Sequence, residues 1–127
     1  MNSRTTVRLA AALWTFALLC GQPLRGSSLS ESSLNRVVDA IYRVEGGAKT
    51  KYPYGIKSID TRGDATAARR FCTNTVRNNW RRWEAAGRPG QFLDFLADRY
   101  CPPSADLKGN FNWKRNIKLI LNGTDIK

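Results

Sequence analysis

The sequence predicts a small, mainly α-helical domain interrupted once by an irregular segment. Apolar residues recur at helical spacing in four separate stretches. Each stretch ends at glycine or proline, the residues that most often stop a helix. Between the first and second stretches, residues 48–64 lose that period and carry Pro53, Gly55 and Gly63 among β-branched residues, which reads as a loop or a short hairpin.

The first 28 residues stand apart from this domain. They hold Arg4 and Arg8, then the apolar run Leu9 to Cys20, with no acidic residue before Glu31. The run is 12 residues long, against the roughly 20 needed by a helix that crosses a bilayer. A basic start, a short apolar centre and small residues after it have the form of a secretory signal peptide, with cleavage expected between Gly21 and Leu29. An uncleaved membrane anchor is the alternative. Lipidation of Cys20 would ask for a small residue where Leu19 stands. The expectation is a secreted or periplasmic protein, with 1–28 as signal and 29–127 as one domain.

The first helix follows. In Ser28-Leu-Ser-Glu31, Ser28 fits an N-cap and Glu31 the reciprocal position of a capping box. Leu34, Val37, Val38 and Ile41 form its buried stripe, and Gly46 or Gly47 ends it in a left-handed cap. Asp64 caps a second helix, Ala65 to about Ala86, whose inner face holds Ala68, Cys72, Thr75, Val76 and Trp83. The run Gly87 to Gly90 breaks it. A third helix is expected from about Pro89 to Tyr100, with Phe92, Leu93, Phe95 and Leu96 inward and Pro102 and Pro103 as its stop. The last, Asn112 to Leu121, turns Trp113, Ile117, Ile120 and Leu121 to one side.

The chain carries 21 basic and 10 acidic side chains. Arg4, Arg8 and Arg25 fall within the signal, so 18 basic against 10 acidic residues leave +8 on the domain. Such a charge fits an anionic partner: nucleic acid, acidic lipid, or the anionic polymers of a cell wall. Export makes the wall surface the most accessible of these. Arg69, Arg70, Arg77, Arg81 and Arg82 concentrate charge on the second helix, as a solvated face or a contact for wall polymers. There is no histidine, which excludes Ser-His and Cys-His nucleophiles. Once Cys20 leaves with the signal, Cys72 and Cys101 are too few for a structural zinc site, and no metal or cofactor is expected. An even pair in an exported domain reads as a disulfide, which would contribute about 3 kcal/mol by chain entropy. Two buried free thiols are the alternative.

Glu45 is the candidate catalytic residue. It follows Ile41 by four positions, Val38 by seven and Leu34 by eleven, on the apolar stripe itself. Desolvation there, and the negative end of the helix dipole, both favour a protonated carboxyl, the form a general acid must take. Gly46 and Gly47 would leave room beside it for a bulky ligand. A helix-terminal glutamate that swings into solvent or pairs with Arg43 is the alternative.

A helix ending in Val44-Glu-Gly-Gly47, followed by an irregular segment with Tyr54-Gly-Ile56, resembles the lysozyme-like superfamily. It is similar to two of its branches, the soluble lytic transglycosylases and the muramidases of glycoside hydrolase family 108. The resemblance spans roughly residues 34–121. It implies a small lysozyme-like helical fold and cleavage of the β-1,4 bond between N-acetylmuramic acid and N-acetylglucosamine in peptidoglycan, with Glu45 as acid. It also implies that Tyr52, Tyr54, Gly55 and Ile56 line a groove and that Ser58 bonds an N-acetyl group. Tyr100 either reaches this site or packs. Transglycosylases usually carry glutamine after the Gly-aliphatic pair, where this chain has Lys57 and Ser58; the muramidase spacer is usually longer and acidic, where this one is basic.

Two routes are open from there. If Asp60 faces Glu45 across the substrate, two carboxylates support hydrolysis. If Asp60 only makes a turn and Asp64 only caps a helix, Glu45 alone serves as acid and then base, the transglycosylase route to a 1,6-anhydro product. The expected partners are glycan strands and the anionic wall, with no nucleic acid, and the protein is expected to be a monomer. The rival readings are a basic module that binds nucleic acid through the Arg-, Asn- and Trp-rich second helix, and a lysozyme-like fold that holds glycan without cutting it.

Overall fold

The computed structural model describes residues 28–123 and residue 126. Residues 1–27, which hold Cys20 and nearly all of the expected signal peptide, lie outside them. The described chain forms α1 (Glu31–Val44), a short 3-10 turn (Gly47–Lys49), α2 (Ala65–Ala85), α3 (Phe92–Tyr100) and α4 (Leu107–Ile120), with no strand among the described residues. The mainly helical fold is as the sequence predicts, and the segment after α1 is a loop.

Each helix packs on two others in a closed ring: α1 against α2 and α4, and α3 against α2 and α4. The stripe read from α1 supplies the centre. Leu34, Val37, Val38 and Ile41 are buried there beside Cys72 and Val76 of α2, Leu96 of α3 and Ile117 of α4. Each large aliphatic side chain so buried contributes about 1.5–3 kcal/mol. Ion pairs stitch the rim: Arg69–Asp39 at 2.7 Å and Arg77–Glu31 at 2.6 Å join α2 to α1. Lys114–Asp98 at 2.8 Å and Lys118–Asp94 at 2.7 Å join α4 to α3. Exposed pairs of this kind are worth about 0–1 kcal/mol each. Two of the five arginines on α2 are thus engaged with α1.

Three helix starts differ from expectation. The N-cap of α1 is Ser30, whose side chain accepts from the Ser33 amide, rather than Ser28. The serines crowded around Glu31 all suit that position, and the buried register of Leu34 selects one. α3 begins at Phe92, because Arg88 and Gly90 hold positive φ angles and keep the chain out of the helix. α4 begins at Leu107, five residues before the expected start, because Asp106 accepts from the Gly109 amide at 2.8 Å. Its first turn offers no apolar stripe to read: Leu107 and Phe111 face outward.

The expected Cys72–Cys101 bridge is also corrected, since both are free thiols. Cys72 Sγ points into the core, 3.5 Å from Tyr100 Oη. Cys101 lies just past α3, with its Sγ directed at the Asp106 carbonyl oxygen, 3.8 Å away. Pairing by count carries no information about these directions.

Candidate functional site

Glu45 is the C-cap of α1, and its amide donates to the Ile41 carbonyl oxygen at 2.9 Å. Gly46 turns the chain in the left-handed region, with φ at 89°. Gly47 does not leave room for a ligand as expected: the ring of Tyr42 fills that space, and a Cβ there would stand 2.6 Å from it. The glycine that matters to the carboxyl is Gly55. Its φ is +71°, and a Cβ on it would stand 2.5 Å from both the carboxyl carbon and Oε2 of Glu45. Only a residue without a side chain lets this backbone close over the acid.

A hydrogen bond holds the other oxygen. Trp113 Nε1–H, on α4, donates to Glu45 Oε1 at 2.8 Å. Tyr100, the last residue of α3, stacks on the indole with ring centres 5.2 Å apart and planes 20° apart. Its hydroxyl meets Cys72. Four elements therefore converge on Glu45: the end of α1, the irregular loop, the end of α3 and the middle of α4.

Burial dominates the titration of the groups around the acid. It pushes the Cys72 thiol up to about 11, against a bonding contribution from Tyr100, and the Glu45 charge acts in the same direction as burial. It pushes the Tyr100 phenol up as well, with Cys72 and Glu45 adding to it.

Beside the acid a cleft of about 270 Å³ is lined by Gly55, Ile56, Lys57, Ser58, Thr75, Arg99 and Tyr100. Glu45 adjoins this cleft through Gly55 instead of lining it. Two cations and no carboxylate appear among the lining residues. The structure thus brings together Glu45, Gly55, Ile56, Ser58 and Tyr100 of the residues read from sequence.

It does not bring Tyr52 and Tyr54 to the cleft. They line a narrow recess of about 20 Å³ on another side of the loop, with Ala68 and Phe71 of α2. Tyr54 is buried, its ring centre 5.2 Å from that of Tyr42. It also bonds to Arg69, whose guanidinium is held above its ordinary range first by Asp39 and then by Tyr54. Asp60 is exposed and accepts the Arg62 amide at 2.8 Å, which closes a turn. Asp64 caps α2 by accepting from the Ala67 amide at 2.9 Å.

Sequence reasoning missed Trp113, Lys57, Thr75 and Arg99 as site residues. For Trp113 a signal existed. A tryptophan on an inward stripe must find an acceptor for its N–H, and Glu45 is the acid on the facing stripe. What the arrangement can do follows from its oxygens. Oε1 is taken by the indole, so a ligand would meet Oε2, which lies beside Gly55.

No family model, curated protein or solved structure matches the chain.

Proposed function

We propose that this protein cleaves the β-1,4 glycosidic bond of peptidoglycan with Glu45 as its single acid and base, in the manner of a lytic transglycosylase. The observation that carries the reading is the clamp on Glu45, a lone carboxyl fixed by Trp113 and Gly55 next to an open cleft. Glu45 gives its proton to the glycosidic oxygen, and the bond from that oxygen to the sugar C1 breaks. The sugar's own 6-hydroxyl then attacks C1, and its proton returns to Glu45. The product is a 1,6-anhydro end, no water is consumed, and the acid is restored.

The cleft favours this route over hydrolysis by two carboxylates, because Asp60 is occupied in its turn and no acid lines the cleft wall. Ser58 offers a hydroxyl to an N-acetyl group, and Thr75, whose hydroxyl donates to the Phe71 carbonyl oxygen at 2.9 Å, can accept from the N-acetyl N–H. Lys57 and Arg99 suit the carboxylates of a glycan's peptide stems.

Mass spectrometry of purified peptidoglycan treated with the protein tests this. Anhydro ends are expected. Reducing ends instead would replace the route with hydrolysis, and an undigested glycan would leave a binding module.

A further inference from the structure

The outer face of α4 has no part in the site above. Leu107, Phe111 and Leu119 are exposed there by 71%, 65% and 67%, and they are the large apolar side chains that stand out on the surface of the described residues. With 3.6 residues per turn, these three lie with Lys108 and Arg115 in an arc of roughly 120°, over a helix length of about 18 Å. Lys114 and Lys118 are drawn to Asp98 and Asp94 of α3. Lys108 and Arg115 have no carboxylate partner among the described residues and face solvent. The opposite face of the same helix holds Trp113 and Ile117 in the core. α4 is therefore anchored on one side and presents apolar side chains interleaved with cations on the other.

We propose that the outer face of α4 is a docking surface for an anionic phospholipid bilayer. Charge complementarity selects this occupant. A second copy of a chain carrying +8 over residues 29–127 would bring Lys108 and Arg115 toward their own kind. A protein partner would need a groove shaped to this one helix and acidic at its rim. A bilayer needs no matching shape: its acyl boundary takes up leucine and phenylalanine, and its headgroups pair with the cations between them. The cleft residues belong to other elements, so docking leaves the cleft open.

Cosedimentation of the full chain with vesicles tests this, using phosphatidylcholine alone or with about a third phosphatidylglycerol. Binding is expected on the anionic vesicles and should weaken as salt rises. The combined variant Leu107→Ser, Phe111→Ser, Leu119→Ser should bind at least tenfold more weakly. Lys108→Glu with Arg115→Glu should lose the preference for anionic lipid. All five positions are solvent-facing, and unchanged far-UV circular dichroism should show that the fold persists. The apolar run at residues 9–20 is common to every protein compared, so the differences report on α4. Phe111→Trp should add fluorescence quenched by brominated lipid beyond that of the parent chain. Equal binding by parent and triple variant, or no added quenching, overturns the proposal. So does a parent that is dimeric without lipid while the triple variant is monomeric, which would give the face to a second copy.

Discussion

The two ends of α3 each meet tryptophan from another helix, two indoles at the first end and one at the last, and they make different things of it. At the first end, Phe92 packs on Trp80 and Trp83, with ring centres 4.9 and 5.7 Å away. Trp83 Nε1–H donates to the Pro89 carbonyl oxygen at a long 3.3 Å. At the last end, Tyr100 stacks on Trp113, and that indole donates to the Glu45 carboxylate at 2.8 Å. One indole closes a corner of the core; the other fixes an ionisable group beside a cleft. The indoles of Trp83 and Trp113 are similar in burial, so the acceptor that each N–H finds is what sets the two ends apart.

Glu45→Gln is the sharpest way to break the comparison. Glutamine keeps a carbonyl oxygen for the Trp113 N–H and keeps the shape, but has no proton to transfer. Cleavage of peptidoglycan should fall by at least about a hundredfold, with thermal stability unchanged. Asp60→Asn, at the exposed turn, should cost little activity. Full cleavage by Glu45→Gln would reduce the polar end to another packing corner.

Gly55→Ala comes next. Its φ of +71° alone costs about 1–2 kcal/mol. The new methyl also meets the carboxyl of Glu45, the far end of a flexible side chain, which can move only by giving up Trp113. Gly87→Ala has φ at +81° and open space around it, so it carries the backbone cost without the collision. The two variants should differ modestly in denaturant melts, and at least tenfold in cleavage. Equal cleavage would show that the Gly55 contact does not hold the acid.

How much of this was legible in sequence differs between the two ends. The stripe of α1 placed Glu45 on the core side, and the left-handed glycine after it was readable because one residue type so often fills that place. Gly55 was found through a resemblance, and its reason, the closeness of its backbone to the carboxyl, exists only once the loop has folded back. Tyr52 and Tyr54 read as groove residues through their neighbours in the chain, yet both line a recess against α2, and there Tyr54 is buried. The start of α4 was hidden because its first turn faces outward and lacks a stripe. Trp113 looked like core because it is core; its second role depends on a residue 68 positions away in sequence.

Trp113→Phe and Trp83→Phe compare the two indoles directly. Phenylalanine retains an aromatic face in both places and removes the N–H. Losing the N–H bond should cost about 0.5–1.5 kcal/mol at each site, and more at Trp113, whose bond is 2.8 Å, than at Trp83, whose bond is 3.3 Å. Cleavage should fall about tenfold for Trp113→Phe, mainly in kcat, because the acid loses its orientation. For Trp83→Phe it should stay at the parent level. Equal kinetic effects would mean that the indole at Glu45 does no more than pack.

The smallest effect expected is on alkaline stability, again at the polar end. The Cys72 thiol titrates near 9 when unfolded and at about 11 in the folded chain, because burial opposes its charge. A raised folded value means that the folded state holds the proton longer. Its contribution is therefore complete below pH 9 and is lost as pH climbs toward 11. By pH 10 the loss amounts to about 1 kcal/mol. The raised Tyr100 phenol acts in the same direction at higher pH. Urea unfolding at pH 8 and pH 10 reads this, with Cys72→Ala as the companion. The variant is less stable at both pH values because of the cavity it leaves, but it should lose less between them. Parallel losses in the two proteins would show that the thiol is not buried against Tyr100 as described, and would return the alkaline effect to the lysines of the surface.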